Sequence, residues 1–153
     1  MAPDGAPTFG VDEIKIVDDG VVEAFRRLIP QLSRSNPPPD RAALERIAAS
    51  DACHLLAARD AGTGEILGSL TLVVFPIPTA IRAWIEDVVV DESARGRGVG
   101  AALNHAALDL ARAEGAKTVD LTSRPSREAA NRLYRRLGFE PRETNVYRYE
   151  LGD

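Results

Sequence analysis

The chain has little cysteine and histidine and no long hydrophobic run. Cys53 is the only cysteine among 153 residues, which excludes an internal disulfide and any zinc site built from several cysteines. The two histidines and this cysteine do not have the spacing of metal ligands, so we expect no metal. No apolar run reaches the roughly 18 residues of a membrane-spanning helix, so we expect no association with a membrane.

Length and charge narrow the class of protein further. A chain of 153 residues suits one domain, predicted over 8–153, after a disordered lead-in at 1–7. The lead-in lacks the pattern of a signal peptide, and the single cysteine suits a reducing compartment, so we expect a cytoplasmic protein. The formal net charge of −4 argues against general nucleic-acid binding. Arginines nevertheless cluster in the second half, which leaves a local anion site open.

Hydrophobic periodicity predicts a mixed α/β fold. Pro30 is expected to end the first helix, and the proline-containing segment Phe75–Ala80 is expected to be a loop. The predicted helices are Val21–Leu32, Asp40–Ala49, Gly98–Glu114 and Ser126–Leu137. The predicted strands are Thr8–Val17, Ala52–Asp60, Glu65–Val74, Ile81–Val90 and Thr118–Thr122, with one or two more in Phe139–Glu150.

The most informative segment is a glycine-rich turn between a buried strand and a long helix. It reads Arg95-Gly96-Arg97-Gly98-Val99-Gly100. Glycine lets a ligand approach the backbone closely, and a helix N-terminus offers unpaired N–H groups and a positive dipole. The turn is not a P-loop, because Gly-Val-Gly-Ala stands where Gly-Lys-Ser/Thr is needed. Its third glycine comes one position too early for a dinucleotide fingerprint. We interpret the turn as the seat of a pyrophosphate.

Arg95-x-x-Gly98-x-Gly100 follows an apolar strand, and the later stretch Ala129–Phe139 contains a Leu-Tyr pair and a Gly-Phe pair. Together these two motifs resemble the GNAT superfamily of N-acyltransferases. The resemblance implies a twisted, mostly antiparallel sheet of six or seven strands, with about four helices. The fourth and fifth strands of that sheet would splay apart, and acetyl-CoA would lie in the wedge between them.

The resemblance also implies which residues bind the cofactor. The turn residues would hold the pyrophosphate, and the backbone of Val88–Val90 would pair with the pantetheine amides. Arg127 stands where many members have asparagine, and Asn131, one turn later, can partly substitute for it. The implied cofactor-binding set is therefore Val88, Val89, Val90, Arg95, Gly96, Arg97, Gly98, Val99, Gly100, Arg127 and Asn131.

The implied reaction is direct attack of an amine on a thioester, and it needs a base and an acid. An alkylammonium group with a pKa of about 10.4 is mostly protonated at pH 7, so freeing its lone pair costs about 4–5 kcal/mol. Glu86 and Asp87 are the candidate bases. Neighbouring residues on a strand point to opposite faces, so at most one is expected to face the cleft, and we favour Glu86. Tyr134 matches the family's usual general acid, which protonates the leaving thiolate.

The sequence thus predicts an acetyl-CoA-dependent N-acetyltransferase acting on a small-molecule amine through a ternary complex. Alternatives are a non-catalytic acyl-CoA-binding regulatory module, a protein lysine or N-terminal acetyltransferase, and a nucleotide-phosphate-binding protein unrelated to CoA. A homodimer formed through the last strands is compatible with the pattern. Arg124 and Arg127 lie where a helix N-terminus disfavours positive charge, so we expect an acidic substrate group or a cofactor phosphate near them.

Overall fold

A computed structural model describes residues 8–152, and the predicted lead-in at 1–7 lies outside them. These residues form two compact units, 8–121 and 122–152. The first unit contains one five-stranded sheet in the order β1-β2-β3-β4-β5. The strands are β1 (Phe9–Glu13), β2 (Cys53–Asp60), β3 (Ile66–Ile77), β4 (Ala80–Val90) and β5 (Thr118–Asp120). The helices are α1 (Asp19–Leu32), α2 (Arg41–Ala49) and α3 (Val99–Ala113) in the first unit, and α4 (Glu128–Arg136) in the second.

The predicted helices form, with differences at their ends. The carboxylate of Asp18 accepts from the amide of Val21 (2.9 Å) and so caps α1, and Asp40 caps α2 in the same way. Helix α1 ends at Leu32, as predicted, and Pro30 lies in its last turn, where it removes only one hydrogen bond. The chain closes the helix beyond it, where the amide of Ser33 donates to the carbonyl of Ile29 (2.9 Å).

The two faces of the sheet are covered by different helices. On one face, α1 and α2 bury Leu28 and Leu44 in a cluster that includes Val89 of β4. Each fully buried leucine of this kind contributes about 1.5–3 kcal/mol. On the other face, α3 packs closely on Gly68 of β3, where a Cβ atom would lie 3.1 Å from Val99 and 3.3 Å from Leu103. Among residues 8–152, no helix is both long and apolar enough to cross a bilayer.

The segment Phe75–Ala80 is not the loop that its prolines predicted. Strands β3 and β4 continue into it and pair as far as Ile77 and Ala80, so only two residues form the turn. The ladder between β2 and β3 ends at Val73, so Pro76 lies where β3 has a strand on one side only. Proline is tolerated at such an edge, because its missing N–H removes no ladder hydrogen bond.

Strand β5 pairs with only the first part of β4, and the expected splay of these two strands stays a prediction. They run parallel and pair only at Arg82–Thr118, Ala83–Val119 and Trp84–Asp120. Beyond Trp84, the strand has β3 on one side and, among the described residues, no strand on the other. The half of β4 that leads into the glycine turn therefore has an open edge.

The second unit differs from the prediction in its final strands and in the start of its helix. Residues 139–152 contain no strand, so the described sheet has five strands rather than six or seven. A strand needs a neighbour for its backbone hydrogen bonds, and the described part of the second unit supplies none. Helix α4 begins at Glu128 with Arg127 as its N-cap residue, one position later than a cap at Ser126 would have set it.

Candidate active site

A β-bulge lies at the centre of the open half of β4. Ser69 pairs with Val89 and Thr71 pairs with Glu86, so the single residue between them on β3 opposes both Asp87 and Val88. Asp87 has a φ of 50°, in the left-handed region. The strict alternation of side chains assumed from the sequence therefore fails here, and Glu86 and Asp87 are both exposed.

Glu86 is held by a neighbour on its own strand. The indole Nε1 of Trp84 donates to Oε1 of Glu86 at 2.9 Å, so the two side chains share a face of the sheet. Glu86 stands opposite Thr71, which stands opposite Leu55, a member of the cluster under α1 and α2. Its Oε2 accepts no hydrogen bond from residues 8–152. Glu86 therefore offers a fixed carboxylate, with a free oxygen, on the face covered by α1 and α2.

The glycine turn that follows β4 fits a diphosphate. Gly96 and Gly98 both have a φ of 82°, and a Cβ built at either position meets no atom within 4 Å. Gly98 is the N-cap residue of α3, and no side chain caps the helix. The first amides of α3 consequently have no acceptor within their own helix. Such a backbone suits an anion, and Val99, buried in the core, holds it in place.

An ion pair from α1 anchors the start of this turn. Arg27 Nε donates to Asp91 Oδ2 at 2.6 Å, and Gln31 Oε1 accepts from the amide of Glu92 at 2.9 Å. Asp91 also accepts from the amide and hydroxyl of Ser93. Burial raises the pKa of Asp91, but Arg27 and Ser93 lower it more, to about 2. The carboxylate is therefore charged at all physiological pH values and fixes the end of β4.

The two arginines of the turn differ in their surroundings. The guanidinium of Arg97 lies 3.5 Å from Asp60 and 6.0 Å from the centre of the Phe9 ring. Arg95 is exposed and makes no ion pair with the residues described. The side chain of Arg95 is thus the freer of the two, while Arg97 already has a weak anionic partner. Their predicted contacts with a pyrophosphate stay predictions.

In the second unit, Tyr134 is half-buried on α4. Its ring packs edge-to-face on Phe139, with the ring centres 5.7 Å apart. Burial raises the pKa of the phenol, and the charge of Arg127 lowers it by less. The hydroxyl is therefore protonated at neutral pH, the state in which it can act as an acid.

The two other site residues predicted on α4 have local structural roles. Asn131 Nδ2 donates at 2.9 Å to the carbonyls of both Arg124 and Arg127, which ties the preceding loop to the helix. Arg127 is the N-cap residue and forms no side-chain cap bond. The amide nitrogen of Asn131 is therefore occupied, and a cofactor contact of either residue stays a prediction.

A cavity that the sequence did not reveal lies beside α4. It has a volume of about 390 Å³. The residues that line it are Ser123, Pro125, Glu128, Asn131, Arg132 and Arg135. The Ser123 hydroxyl is buried and has no hydrogen-bond partner among the described residues. Only the density of arginine in this stretch could have indicated a site here.

The trio of Arg27, Gln31 and Asp91 was also missed. Arg27 and Asp91 lie 64 positions apart, and no local pattern links them. By contrast, the glycine turn and Glu86 lie where the sequence placed them, at the end and in the middle of one strand. They belong to the first unit, whereas Tyr134, Arg127 and Asn131 belong to the second.

Comparison with known proteins gives one family. The family model described as "Acetyltransferase (GNAT) family" matches residues 21–139. Glucosamine 6-phosphate N-acetyltransferase 1 of Oryza sativa subsp. japonica is 32% identical over 136 residues, covering 84% of this chain and 81% of that protein. Mycothiol acetyltransferase of Beutenbergia cavernae is 40% identical over 82 residues, which is 54% of this chain. The match spans only 27% of the mycothiol enzyme's length.

Solved structures agree with the sequence matches. The crystal structure of a Trypanosoma brucei acetyltransferase superposes with a TM-score of 0.76 at 28% identity. The superposition covers 94% of this chain and 99% of the trypanosomal one. The likeness therefore extends over nearly the whole chain.

Proposed function

Because this chain belongs to the acetyltransferase (GNAT) family, we propose that it transfers an acetyl group from acetyl-CoA to a primary amine of a small molecule. The observation that carries the proposal is the junction of β4 and α3. There an open strand edge ends in uncapped helix amides and two glycines of positive φ. An edge that can pair with amides, followed by a seat for a diphosphate, matches the chemical order of the CoA arm.

Glu86 is the proposed base. Its Oε1 is held by Trp84, and its Oε2 is available to take a proton from the incoming ammonium group, directly or through water. Asp87, on the adjacent bulge, is the second candidate. The freed nitrogen attacks the acetyl carbon, the carbon–sulfur bond breaks, and Tyr134 supplies a proton to the leaving sulfur. The second proton that the nitrogen loses passes through solvent to the tyrosinate and restores the phenol.

The choice of a small molecule is supported by the names of the relatives. Those names specify glucosamine 6-phosphate for the rice protein and mycothiol for the bacterial one. Both names specify a molecule much smaller than a protein. The match with the mycothiol enzyme spans about a quarter of that enzyme, so its substrate is a weaker guide than that of the rice protein.

Calorimetry with acetyl-CoA, followed by thiol release over a panel of amines, tests the proposal. We expect saturable binding, movement of the amide resonances of residues 98–100, and acetylation of at least one small amine. Binding without turnover on any amine, peptides included, would instead favour the regulatory module. Unmoved resonances at saturating acetyl-CoA would remove the basis of the assignment.

Two finer proposals concern assembly and location. Exposed apolar side chains near the C-terminus support a homodimer formed through this segment, since Tyr147, Tyr149 and Leu151 are 88%, 86% and 92% exposed. Light scattering should give a dimer for the full chain and a monomer after removal of 146–153; a monomeric full chain would refute the dimer.

The single cysteine supports a cytoplasmic location, which cell fractionation tests.

A further inference from the structure

Helix α4 and the loop before it carry positive charge that no ion pair within the described residues 122–152 neutralises. Residues 122–138 hold five arginines and one glutamate, a net charge of +4 in a chain whose formal net charge is −4. None of these arginines forms an ion pair with another residue of 122–152, whereas Arg27, Arg41 and Arg59 of the first unit all have partners within their own unit. This density of unpaired charge is the kind that an anionic ligand stabilises.

Two of these five arginines line the cavity beside α4. Arg132 and Arg135 line it three residues apart, a spacing that places two side chains side by side on a helix. Glu128 also lines it, but it forms no ion pair with either arginine. One carboxylate against two guanidinium groups leaves the cavity positive.

The polar groups beside these arginines suit a phosphate. Ser123 lines the cavity, and its buried hydroxyl has no hydrogen-bond partner among the described residues. The N-terminus of α4 has no side-chain cap, so its first amides add a positive end of a helix dipole. A guanidinium forms paired hydrogen bonds with phosphate oxygens, and a hydroxyl can donate to a third.

We propose that this cavity binds a phosphate monoester. Given the proposed function, the group is either the 3′-phosphate of coenzyme A or the phosphate of a phosphorylated amine. Both present the same dianion, and Arg132 and Arg135 would bind it in the same way.

Inorganic phosphate is the first probe, with Arg136→Ala as the control. Arg136 carries the same charge on the same helix but does not line the cavity. We expect phosphate to shift the amide resonances of Ser123 and Asn131 in the full-length protein. Arg132→Ala and Arg135→Ala should each weaken this binding about tenfold, and Arg136→Ala by less than about twofold. The absence of a shift, or equal weakening in all three variants, would overturn the proposal.

Paired ligands identify the source of the phosphate by calorimetry. If it is the 3′-phosphate, Arg132→Ala should raise the Kd of CoA about tenfold and leave the Kd of 3′-dephospho-CoA unchanged. If it belongs to the acceptor, the same variant should raise the Kd of glucosamine 6-phosphate but not that of glucosamine. An equal change for both members of both pairs, or no change in either, would refute a phosphate monoester.

These results are separable from the proposed function. Normal acetylation in Arg132→Ala and Arg135→Ala, with phosphate binding like that of Arg136→Ala, would refute the cavity proposal and leave the acetyltransferase standing. If the cavity binds phosphate but the protein acetylates no amine, the cavity proposal stands and the acetyltransferase proposal is refuted.

Discussion

The carboxylate of Glu86 is the side chain on which turnover is expected to depend most. Replacing Glu86 with Gln keeps the shape and the bond to Trp84 but removes the proton acceptor. We expect kcat at pH 7 to fall about 100-fold. The deficit should shrink as pH rises, because more of the amine is then already deprotonated. Steady-state rates between pH 6 and 10 measure this.

Asp87 provides the matched control for that variant. It is the adjacent carboxylate, also exposed, but its backbone belongs to the bulge. Asp87→Asn should change kcat by only a few-fold at any pH. The opposite pattern, a large loss in Asp87→Asn and a small one in Glu86→Gln, would move the base to Asp87.

Tyr134 should matter for the chemical step and not for cofactor affinity. Tyr134→Phe removes the hydroxyl while keeping the packing on Phe139, so we expect kcat to fall about tenfold or more with an unchanged KM for acetyl-CoA. Because burial raises the pKa of the phenol, wild-type activity should persist to pH 10 and fall above it. Tyr149→Phe, at an exposed position, is the control; equal kcat in both variants would discard the acid role.

At the scale of elements, the Arg27–Asp91 pair makes the stability of the first unit depend on acid. The lowered pKa of Asp91 means that its contribution is complete above pH 4 and is lost as pH falls toward 2. Arg27→Ala should lower the free energy of unfolding by about 2 kcal/mol at pH 7, and by less at pH 3. Urea denaturation at both pH values tests this. Arg26→Ala, which removes an exposed pair with Glu23, should cost under about 0.5 kcal/mol at either pH.

Substitutions of two glycines at the ends of α3 distinguish the effect of backbone strain from the loss of a cofactor contact. Gly98→Ala meets no steric obstacle, so its cost is the positive φ, about 1 kcal/mol. If the turn holds the diphosphate, this variant should also raise the Kd of acetyl-CoA several-fold. Gly115→Ala, with a φ of 84° at the other end of α3, carries the same strain and should leave the Kd unchanged. Equal effects of both variants on affinity would show that strain alone explains the result.

The elements that the sequence predicted well are those with local causes. The turn and α3 follow from glycines placed between an apolar strand and an amphipathic stretch, and α2 follows from the cap at Asp40. The proline-containing hairpin was missed because Pro76 is tolerated only where β2 has already ended, and that depends on a distant strand. The final strands were overpredicted for the same reason, since alternation alone supplies no neighbour to pair with.

The residues of the candidate site also divide into those with local causes and those that depend on distant parts of the chain. Glu86 and the glycine turn were identified from contiguous residues. The bulge at Asp87 was not, because it arises from a mismatch between two strands rather than from either sequence. The contact between Arg27 and Asp91 joins a helix to the end of a strand far along the chain, and only folding brings them together.

At the scale of the whole molecule, the chain should form no acyl-enzyme. Cys53 is its only cysteine, and it lies on β2 rather than on β4 or the turn. Initial-rate plots should intersect, as for a ternary complex, and Cys53→Ala should keep its turnover. Parallel lines, or a mass increase of the protein incubated with acetyl-CoA alone, would point to a covalent intermediate.

The open edge of β4 beyond Trp84, where β5 no longer pairs with it, also affects the aggregation of the protein without a ligand. No strand of the described part of the chain pairs with the backbone groups of residues 85–90 on this edge, and such an edge can recruit another polypeptide. A molecule with amides of its own would close the edge as a surrogate strand. The bound ligand would then protect this edge from pairing with other chains, and ligand-free protein should aggregate at a lower temperature than ligand-bound protein.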